Sequence, residues 1–150
     1  MNIVLYEPEI PPNTGNVARL SAGMGMTLHL IEPLGFSLDD RHLRRAGLDY
    51  WPLVDLAVWS DWPSFLERGP KGRLVATSAR AGTSFSEYQP RADDVLLFGP
   101  ETRGLPASVS SLASLVLNIP LRPGVRSLNL ATTVGFLLGV ALSRLGGGSE

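Results

Sequence analysis

A glycine-containing stretch near the middle of the chain, FGPETRGLP at 98–106, has the residue types of a ligand-binding turn. Gly99 and Gly104 have the spacing of the glycines in an ATP-binding loop. That loop needs a lysine followed by serine or threonine after its second glycine, and this chain has Leu105-Pro106 there. Phosphate is therefore a poor ligand for this turn. Its free backbone N–H and C=O groups can instead bind a base edge or a small zwitterion, and a plain strand-to-helix turn is an equal alternative.

The segment NTGNVAR at 13–19 has the pattern of a helix start that carries polar side chains. Asn13 or Thr14 can cap the helix, because short polar side chains accept hydrogen bonds from the free N–H groups of a first turn. Asn16 and Arg19 are three residues apart and therefore share one face. They are either surface residues of a capped helix or a polar pair directed into a cleft.

A second helix start, VRSLNLATT at 125–133, combines capping residues with an arginine. Ser127 and Asn129 both have the residue type of a cap, and one helix needs only one of them. Arg126 stands beside the positive end of the helix dipole, which disfavours an exposed cation by about 0.3–1 kcal/mol. An anion or carboxylate bound nearby would offset that cost.

The segment LDDRHLRRAG at 38–47 predicts a short helix whose charges suit the helix dipole, with Arg44 and Arg45 in its last turn. The same two arginines can equally form a phosphate-binding patch. The rings of Tyr50 and Trp51 would then lie beside it as stacking surfaces for bases. Both interpretations stay open on these residues alone.

Short apolar runs alternate with helical patterns along the chain, and this alternation predicts the elements that position these residues. Strands are predicted at 2–7, 27–32, 53–59, 73–78, 94–99 and 115–120, and helices at 14–25, 38–47, 61–69 and 128–145. The alternation indicates an α/β fold in which a mostly parallel sheet carries helices on both faces. Ligands of such folds bind at the carboxyl ends of the strands. The loops at those ends are 77–82, 99–104 and 120–127.

The organisation of the chain indicates a single domain. No linker is long enough to divide it, so we expect one domain over 1–146 and a disordered tail at 147–150. The start, MNIVLYE, lacks the pattern of a signal peptide. The apolar stretch at 127–143 is shorter than the ~20 residues that a membrane span needs. These features fit a cytoplasmic protein.

The composition disfavours several classes of site. The 150 residues contain no cysteine and two histidines, so disulfides, thiol nucleophiles and a metal centre are not expected. The dinucleotide fingerprint GxGxxG is absent, which disfavours a nicotinamide-dependent enzyme. The net charge is −1, and the basic residues are twelve arginines and one lysine. That preference suits bidentate binding of phosphate or carboxylate, and a high-GC genome explains it equally well.

Four segments together resemble the SPOUT methyltransferases: YEPEIPPNTGNVARL, LRRAGLDYW, LLFGPETRGLP and IPLRPGVRSLNLATTVG. The resemblance covers nearly the whole chain in order. It is closest to the short branch that methylates the wobble ribose of tRNA, the tRNA (cytidine/uridine 2′-O)-methyltransferases. The resemblance implies a C-terminal deep trefoil knot, which general topology rules would not predict. It also implies S-adenosylmethionine as the cofactor, bound by the loops of the knot.

The resemblance further implies which residues form the site. The implied cofactor-binding residues are Thr77, Ser78, Gly99, Glu101, Gly104, Ile119, Leu121, Ser127 and Leu128. The adenine and methionine parts of this cofactor carry no phosphate, so the glycine loop needs no lysine. The implied catalytic residues are Arg19, Asn16, Ser127 and Asn129, and the expected RNA phosphate contacts are Arg44, Arg45 and Arg126. Arginine is a poor base because its guanidinium stays protonated, so Arg19 is expected to hold phosphate and stabilise developing negative charge.

The function that follows from the resemblance is methylation of the wobble ribose 2′-OH of tRNA. The resemblance implies a homodimer that binds the anticodon stem-loop. A methyltransferase for another RNA, such as ribosomal RNA, and a non-catalytic RNA-binding module of the same fold are the alternatives. The presence of Arg19 and Ser127 disfavours the non-catalytic module.

Overall fold

The computed structural model describes residues 1–146, in which seven strands and five α-helices form one α/β unit. The strands are β1 Asn2–Tyr6, β2 Thr27–Ile31, β3 Asp55–Trp59, β4 Leu74–Ser78, β5 Thr83–Ser84, β6 Val95–Phe98 and β7 Leu115–Asn118. The α-helices are α1 Pro11–Met24, α2 Arg41–Gly47, α3 Trp62–Arg68, α4 Ala107–Ser110 and α5 Leu130–Gly146. Two 3₁₀ helices cover Leu48–Leu53 and Phe85–Glu87. The predicted tail at 147–150 lies outside the described residues.

All strand pairs of the sheet are parallel, and the strand order is β3-β2-β1-β6-β4-β7-β5. The predicted α/β class with a mostly parallel sheet is therefore confirmed, and each predicted strand is present within two residues of its expected bounds. The two-residue edge strand β5 and both 3₁₀ helices were not predicted from the sequence. The trefoil knot stays a prediction of the resemblance.

Helices cover both faces of the sheet. Ile3 and Leu5 of β1 belong to a buried cluster that includes side chains of α1 and α5. Val4, the residue between them, belongs to a second cluster with Phe65 of α3 and Val109 of α4. Successive side chains of a strand point to opposite faces, so one strand supplies both clusters. This explains why the strands read as continuous apolar runs rather than as alternating ones.

The start of α1 differs from the prediction. The helix begins at Pro11, and Ile10 is its N-cap without a side-chain hydrogen bond. The prediction that Asn13 or Thr14 caps the helix is wrong, because both lie buried inside the first turns. A proline at the start of a helix has no N–H to satisfy, so the need for a side-chain cap is smaller.

Gly15 permits a close approach of α1 and α2. A Cβ at this position would lie 2.4 Å from the carbonyl oxygen of Leu43 and 2.6 Å from the Cβ of Ala46. Because α2 would have to move, we expect Gly15→Ala to lower the free energy of unfolding by about 1–3 kcal/mol. In the same helix, a Cβ at Gly23 would meet nothing within 4 Å. Gly23→Ala is therefore the control, and we expect it to stabilise by about 0.5–1 kcal/mol. Denaturant unfolding followed by circular dichroism measures both, and equal effects would contradict the packing argument.

Candidate functional site

The carboxyl ends of β6, β4 and β7 lie side by side, because these strands are neighbours in the parallel sheet. The glycine loop at 99–104 follows β6. The segments at 79–82 and 119–129 follow β4 and β7. The three loops that were predicted to form a ligand site therefore start from one edge of the sheet.

The glycine loop is a tight turn whose shape depends on both glycines. A Cβ at Gly99 would lie 2.5 Å from the backbone nitrogen of Leu105 and 2.7 Å from the carbonyl carbon of Gly104. The backbone N–H of Gly104 donates to the carbonyl oxygen of Pro100 at 2.9 Å, and Gly104 has a φ of +69°. Few side chains tolerate that left-handed conformation. The loop therefore folds back on itself. Since the two glycines have no side chains, only their backbone groups can bind a ligand.

The Glu101 side chain links the glycine loop to the chain that enters α1. Its carboxylate accepts the backbone N–H groups of Glu9 at 3.1 Å and Ile10 at 2.5 Å. In return, the Glu9 carboxylate accepts the backbone N–H of Thr102 at 3.0 Å and its hydroxyl at 2.8 Å. These bonds, that from the Thr102 backbone first, lower the pKa of the Glu9 carboxyl. Glu101 thus positions two segments against each other, and the contribution of Glu9 and Thr102 to this link was not predicted from the sequence.

Polar side chains join the end of β4 to its neighbours β6 and β7. The Thr77 hydroxyl donates to the carbonyl oxygen of Leu97 at 3.2 Å. The amide of Asn118 donates to the carbonyl oxygen of Ser78 at 3.0 Å. The Ser78 hydroxyl oxygen accepts two backbone N–H groups of the following turn. Thr77 and Ser78 thus shape the strand end, and the sequence reasoning missed Asn118 because its partner is on another strand.

Asn129 caps α5 and connects it to α1. Its side-chain oxygen accepts the backbone N–H groups of Ala131 at 2.9 Å and Thr132 at 3.3 Å, and its amide nitrogen donates to the side-chain oxygen of Asn13 at 2.8 Å. Of the two residues that could cap this helix, Asn129 is therefore the cap. Ser127 is exposed, and its hydroxyl makes no hydrogen bond among residues 1–146. The geometry gives Asn129 a positioning task and leaves Ser127 accessible to a ligand.

Asn16 and Arg19 lie exposed on α1, three residues apart on the same face, as predicted. Asn16 is three residues beyond Asn13, whose side chain anchors the start of α5. The guanidinium carbon of Arg19 lies 5.5 Å from the centroid of the Tyr50 ring. The part of α1 that precedes this pair is anchored to the segments that follow β6 and β7.

The three arginines that were expected to contact RNA lie on the surface. Arg44 in α2 lies 4.8 Å above the ring of Trp51, and its Nε donates to the carbonyl oxygen of Leu38 at 3.0 Å. Arg45 and Arg126 are exposed and make no hydrogen bond or ion pair within residues 1–146. All three side chains are accessible to phosphate groups, and contact with RNA stays a prediction.

The apolar residues predicted for the cofactor site follow β7. Ile119, Leu121 and Leu128 are half-buried, and Ile119 packs against the cluster between the sheet and helices α1 and α5. Half-buried apolar side chains can cover the flat face of an uncharged ring. Their position is compatible with the predicted adenine-binding side of the site.

Two clefts elsewhere on the surface contain none of the predicted site residues. One, of about 430 Å³, lies between Tyr88 and Arg144, and the other, of about 410 Å³, lies between Lys71 and Leu112. In the described part of the chain, no group of three or more histidine, aspartate or glutamate side chains could hold a metal ion. Likewise, none of the helices in that part is long and apolar enough to cross a membrane.

Comparison with known proteins gives consistent matches over nearly the whole chain. Residues 1–139 match the SpoU rRNA Methylase family. A tRNA (cytidine(34)-2′-O)-methyltransferase from Escherichia coli strain K12 is 47% identical over 148 residues, which cover 97% of this chain and 94% of that protein.

Solved structures give the same result. One that describes the 2-OH methylation of C/U34 on tRNA has a TM-score of 0.93 at 50% identity, covering 97% of this chain and 96% of the other. A SpoU methyltransferase from Streptomyces viridochromogenes in complex with the cofactor AdoMet has a TM-score of 0.84 at 19% identity, covering 97% of this chain and 61% of that one. This last likeness shows the shared fold alone.

Proposed function

Because this chain belongs to the SpoU rRNA Methylase family, we propose that it transfers a methyl group from S-adenosylmethionine to the ribose 2′-OH of the wobble cytidine or uridine of tRNA. Its similarity to a tRNA (cytidine(34)-2′-O)-methyltransferase, at 47% identity over 97% of the chain, supports tRNA rather than ribosomal RNA as the substrate. The structural observation that carries the proposal is a reciprocal link: Glu101 accepts the backbone N–H of Glu9, and the Glu9 carboxylate accepts the backbone N–H of Thr102. This link fixes the glycine loop beside the start of the helix that carries Asn16 and Arg19. In this proposal the link holds the cofactor-binding turn next to the helix that contacts the acceptor ribose.

The loops at the strand ends fit S-adenosylmethionine, which when bound supplies an activated methyl group on a good leaving group. Gly99 and Gly104 would hold it through backbone groups of their turn, since the Glu101 carboxylate is already bonded to backbone N–H groups. The turn has no lysine, which suits a ligand without phosphate. Ile119 and Leu128 would cover the adenine, and both are half-buried.

The side chains on the acceptor side align and polarise the ribose. The Arg19 guanidinium can hold a phosphate and stabilise negative charge that develops on the 2′-oxygen. Ser127 and Asn16 are exposed polar groups that can orient the hydroxyl by hydrogen bonds. Alignment of the two reactants can contribute several kcal/mol to the rate acceleration. In this proposal Asn129 acts through Asn13 and α5 rather than on the substrate.

The proposal also includes the oligomeric state and the location of the protein. The chain forms a homodimer and modifies its tRNA substrate in the cytoplasm. The resemblance implies the dimer, and α5 offers a face for it, with Gly139 exposed and Phe136 39% exposed. A second copy would bring a second set of Arg44, Arg45 and Arg126 to the RNA, which is useful for a chain of net charge −1. Sedimentation velocity tests the dimer, and a concentration-independent monomer would contradict it.

We expect Gly99→Ala to weaken the binding of S-adenosylhomocysteine by roughly tenfold or more, because a Cβ would force the turn away from Leu105 and Gly104. Isothermal titration calorimetry measures the change. The control is Gly23→Ala, where a Cβ meets no neighbour within 4 Å. Unchanged affinity in Gly99→Ala would remove this turn from the cofactor site.

The decisive test of the function is methyl transfer from labelled S-adenosylmethionine to unmodified tRNA and to total cellular tRNA. Nuclease digestion followed by mass spectrometry then locates the methyl group. We expect a 2′-O-methylated nucleotide at the wobble position. Transfer to ribosomal RNA but not to tRNA would replace the proposed substrate, and binding of S-adenosylhomocysteine without transfer to any RNA would refute the catalytic assignment.

A further inference from the structure

The guanidinium of Arg19 contacts an aromatic ring rather than a protein oxygen, an arrangement that it shares with Arg68. The guanidinium groups of Arg44, Arg73, Arg103 and Arg144 all donate hydrogen bonds to protein oxygens. That of Arg19 donates none within residues 1–146 and forms no ion pair there. Its contact is with the ring of Tyr50, 5.5 Å from the guanidinium carbon to the ring centroid. Arg19 is thus held by an aromatic face.

This mode of contact has a chemical consequence for an anion-binding arginine. A carboxylate partner would fix the guanidinium equally well, but it would neutralise the charge and occupy the N–H donors. An aromatic ring attracts the cation through its face and leaves the donors at the guanidinium edge free. Asp49 adjoins Tyr50 in the chain, yet it makes no ion pair with Arg19. Arg19 therefore keeps its full charge and its hydrogen-bonding capacity.

The segment that carries Tyr50 is fixed to the helices beneath it. The Trp51 indole N–H donates to the carbonyl oxygen of Arg44 at 3.1 Å. A Cβ at Gly47 would lie 2.3 Å from the same indole nitrogen, so the ring packs directly on the end of α2. The helix α2 is in turn packed on Gly15 of α1, the helix of Arg19. The residue next to Tyr50 in the chain is therefore anchored to α2, and through α2 to the helix of Arg19.

We propose that Tyr50 is a positioning residue for Arg19: its ring orients the guanidinium so that the free N–H edge meets the phosphate and ribose oxygen of the acceptor nucleotide. The inference rests on the proposed methyl transfer to RNA, in which Arg19 contacts the substrate. Tyr50 acts by its ring face and not by its hydroxyl, so phenylalanine should replace it and an aliphatic residue should not. The ring is 41% exposed, so its replacement leaves the buried core intact.

The test compares Tyr50→Phe and Tyr50→Leu in steady-state methyl transfer to tRNA. We expect Tyr50→Leu to lower kcat by roughly tenfold, with the affinity for S-adenosylhomocysteine unchanged, because a misplaced guanidinium costs alignment and not cofactor binding. Tyr50→Phe should retain activity within about twofold, since phenylalanine keeps the aromatic face. The matched control is Leu53→Ala, because Leu53 lies in the same 3₁₀ helix and is 69% exposed. We expect its activity to equal that of the unmodified chain.

A double-variant cycle separates positioning from a general structural effect. In the Arg19→Ala background, Tyr50→Leu should cause no further loss, because the two residues act as one unit. An equal tenfold loss in both backgrounds would overturn the proposal, and so would equal activity of Tyr50→Leu and the unmodified chain. A loss in Tyr50→Phe as large as that in Tyr50→Leu would assign the effect to the hydroxyl and would also overturn it.

A measurement without RNA keeps the inference distinct from the proposed function. NMR relaxation of the Arg19 Nε–H reports the order of the guanidinium. We expect an ordered signal in the unmodified chain and in Tyr50→Phe, and a mobile one in Tyr50→Leu. Equal mobility in all three would refute the positioning role even if methyl transfer were confirmed. Absence of methyl transfer in the unmodified chain would refute the proposed function. The NMR measurement would still show whether the Tyr50 ring orders the Arg19 guanidinium.

Discussion

Replacement of Arg19 by alanine is expected to lower methyl transfer to tRNA by about a hundredfold or more, with S-adenosylhomocysteine bound as before. Removal of one preorganised donor at a developing negative charge typically costs about 10²–10³ in rate. Arg19 is exposed and has no hydrogen bond to protein among the described residues, so its loss leaves no buried group without a partner. The effect should therefore appear in kcat and not in the free energy of unfolding.

The chain offers a matched control for this substitution. Arg68 also lies over an aromatic ring, 5.8 Å from the centroid of Trp59, but it is in α3 on the opposite face of the sheet. Arg68→Ala should retain full activity. Rate measurements at saturating cofactor and tRNA compare the two variants. If Arg19→Ala stays active, Arg19 is not a catalytic residue. If the variant also loses cofactor binding, the lower rate does not show a catalytic role for Arg19.

Replacement of Asp94 by alanine is expected to lower the free energy of unfolding by about 3–5 kcal/mol, the usual cost of removing one partner from a buried ion pair. The Asp94 side chain is fully buried at the amino end of β6. It accepts two N–H groups of Arg73 at 2.7 and 2.8 Å, the Tyr88 hydroxyl at 2.5 Å and the backbone N–H of Arg91 at 2.9 Å. Without the carboxylate, these donors lose their acceptor inside the protein.

The control for Asp94 is its neighbour Asp93, which is exposed. Denaturant unfolding should show little change in Asp93→Ala, because exposed charges contribute little to stability. Tyr88→Phe should have an intermediate effect of about 1–2 kcal/mol, since it removes one hydrogen bond to a charged group. A change of less than about 1 kcal/mol in Asp94→Ala would contradict the assigned importance of the ion pair.

The hydrogen bonds of Asp94 also predict that the free energy of unfolding depends on pH in the acid range. Burial alone would raise the pKa of the Asp94 carboxyl, but the hydrogen bonds from Arg73, Tyr88 and the Arg91 backbone outweigh burial and lower it. Burial and the bond to Asp94 also raise the pKa of Tyr88, which keeps its hydroxyl protonated as a donor. Asp94 therefore stabilises the fold above the ordinary carboxyl pKa of about 4, and this stabilisation is lost as the pH falls through the lowered value. The free energy of unfolding of Asp94→Asn, measured as the pH is lowered, should therefore not show the loss that comes from protonation of Asp94.

The sequence by itself determined the fold class and indicated the edge of the sheet where the candidate site is proposed. The apolar runs of β4, β6 and β7 indicated buried parallel strands, whose carboxyl ends lie at the same edge of a sheet. The residue types at Gly99 and Gly104 indicated a turn, either a plain one or one that binds a ligand through its backbone. The spacing of Asn16 and Arg19 placed both on one face of a helix. These features depend on neighbours in the chain, so local patterns carry them. The resemblance to a methyltransferase family supplied the cofactor and the reaction, which no local pattern gives.

Only the tertiary structure decided which side chains the site residues contact, because those partners are far apart in the chain. Glu101 bonds to the backbone of Glu9, 92 residues away, and so links two segments of the site. Asn129, and not Ser127, caps α5, and it bonds to Asn13 across 116 residues. Residue types allow several partners for a carboxylate, an amide or a guanidinium. The packing of the sheet and helices selects one, because it brings only that partner within hydrogen-bond or stacking distance.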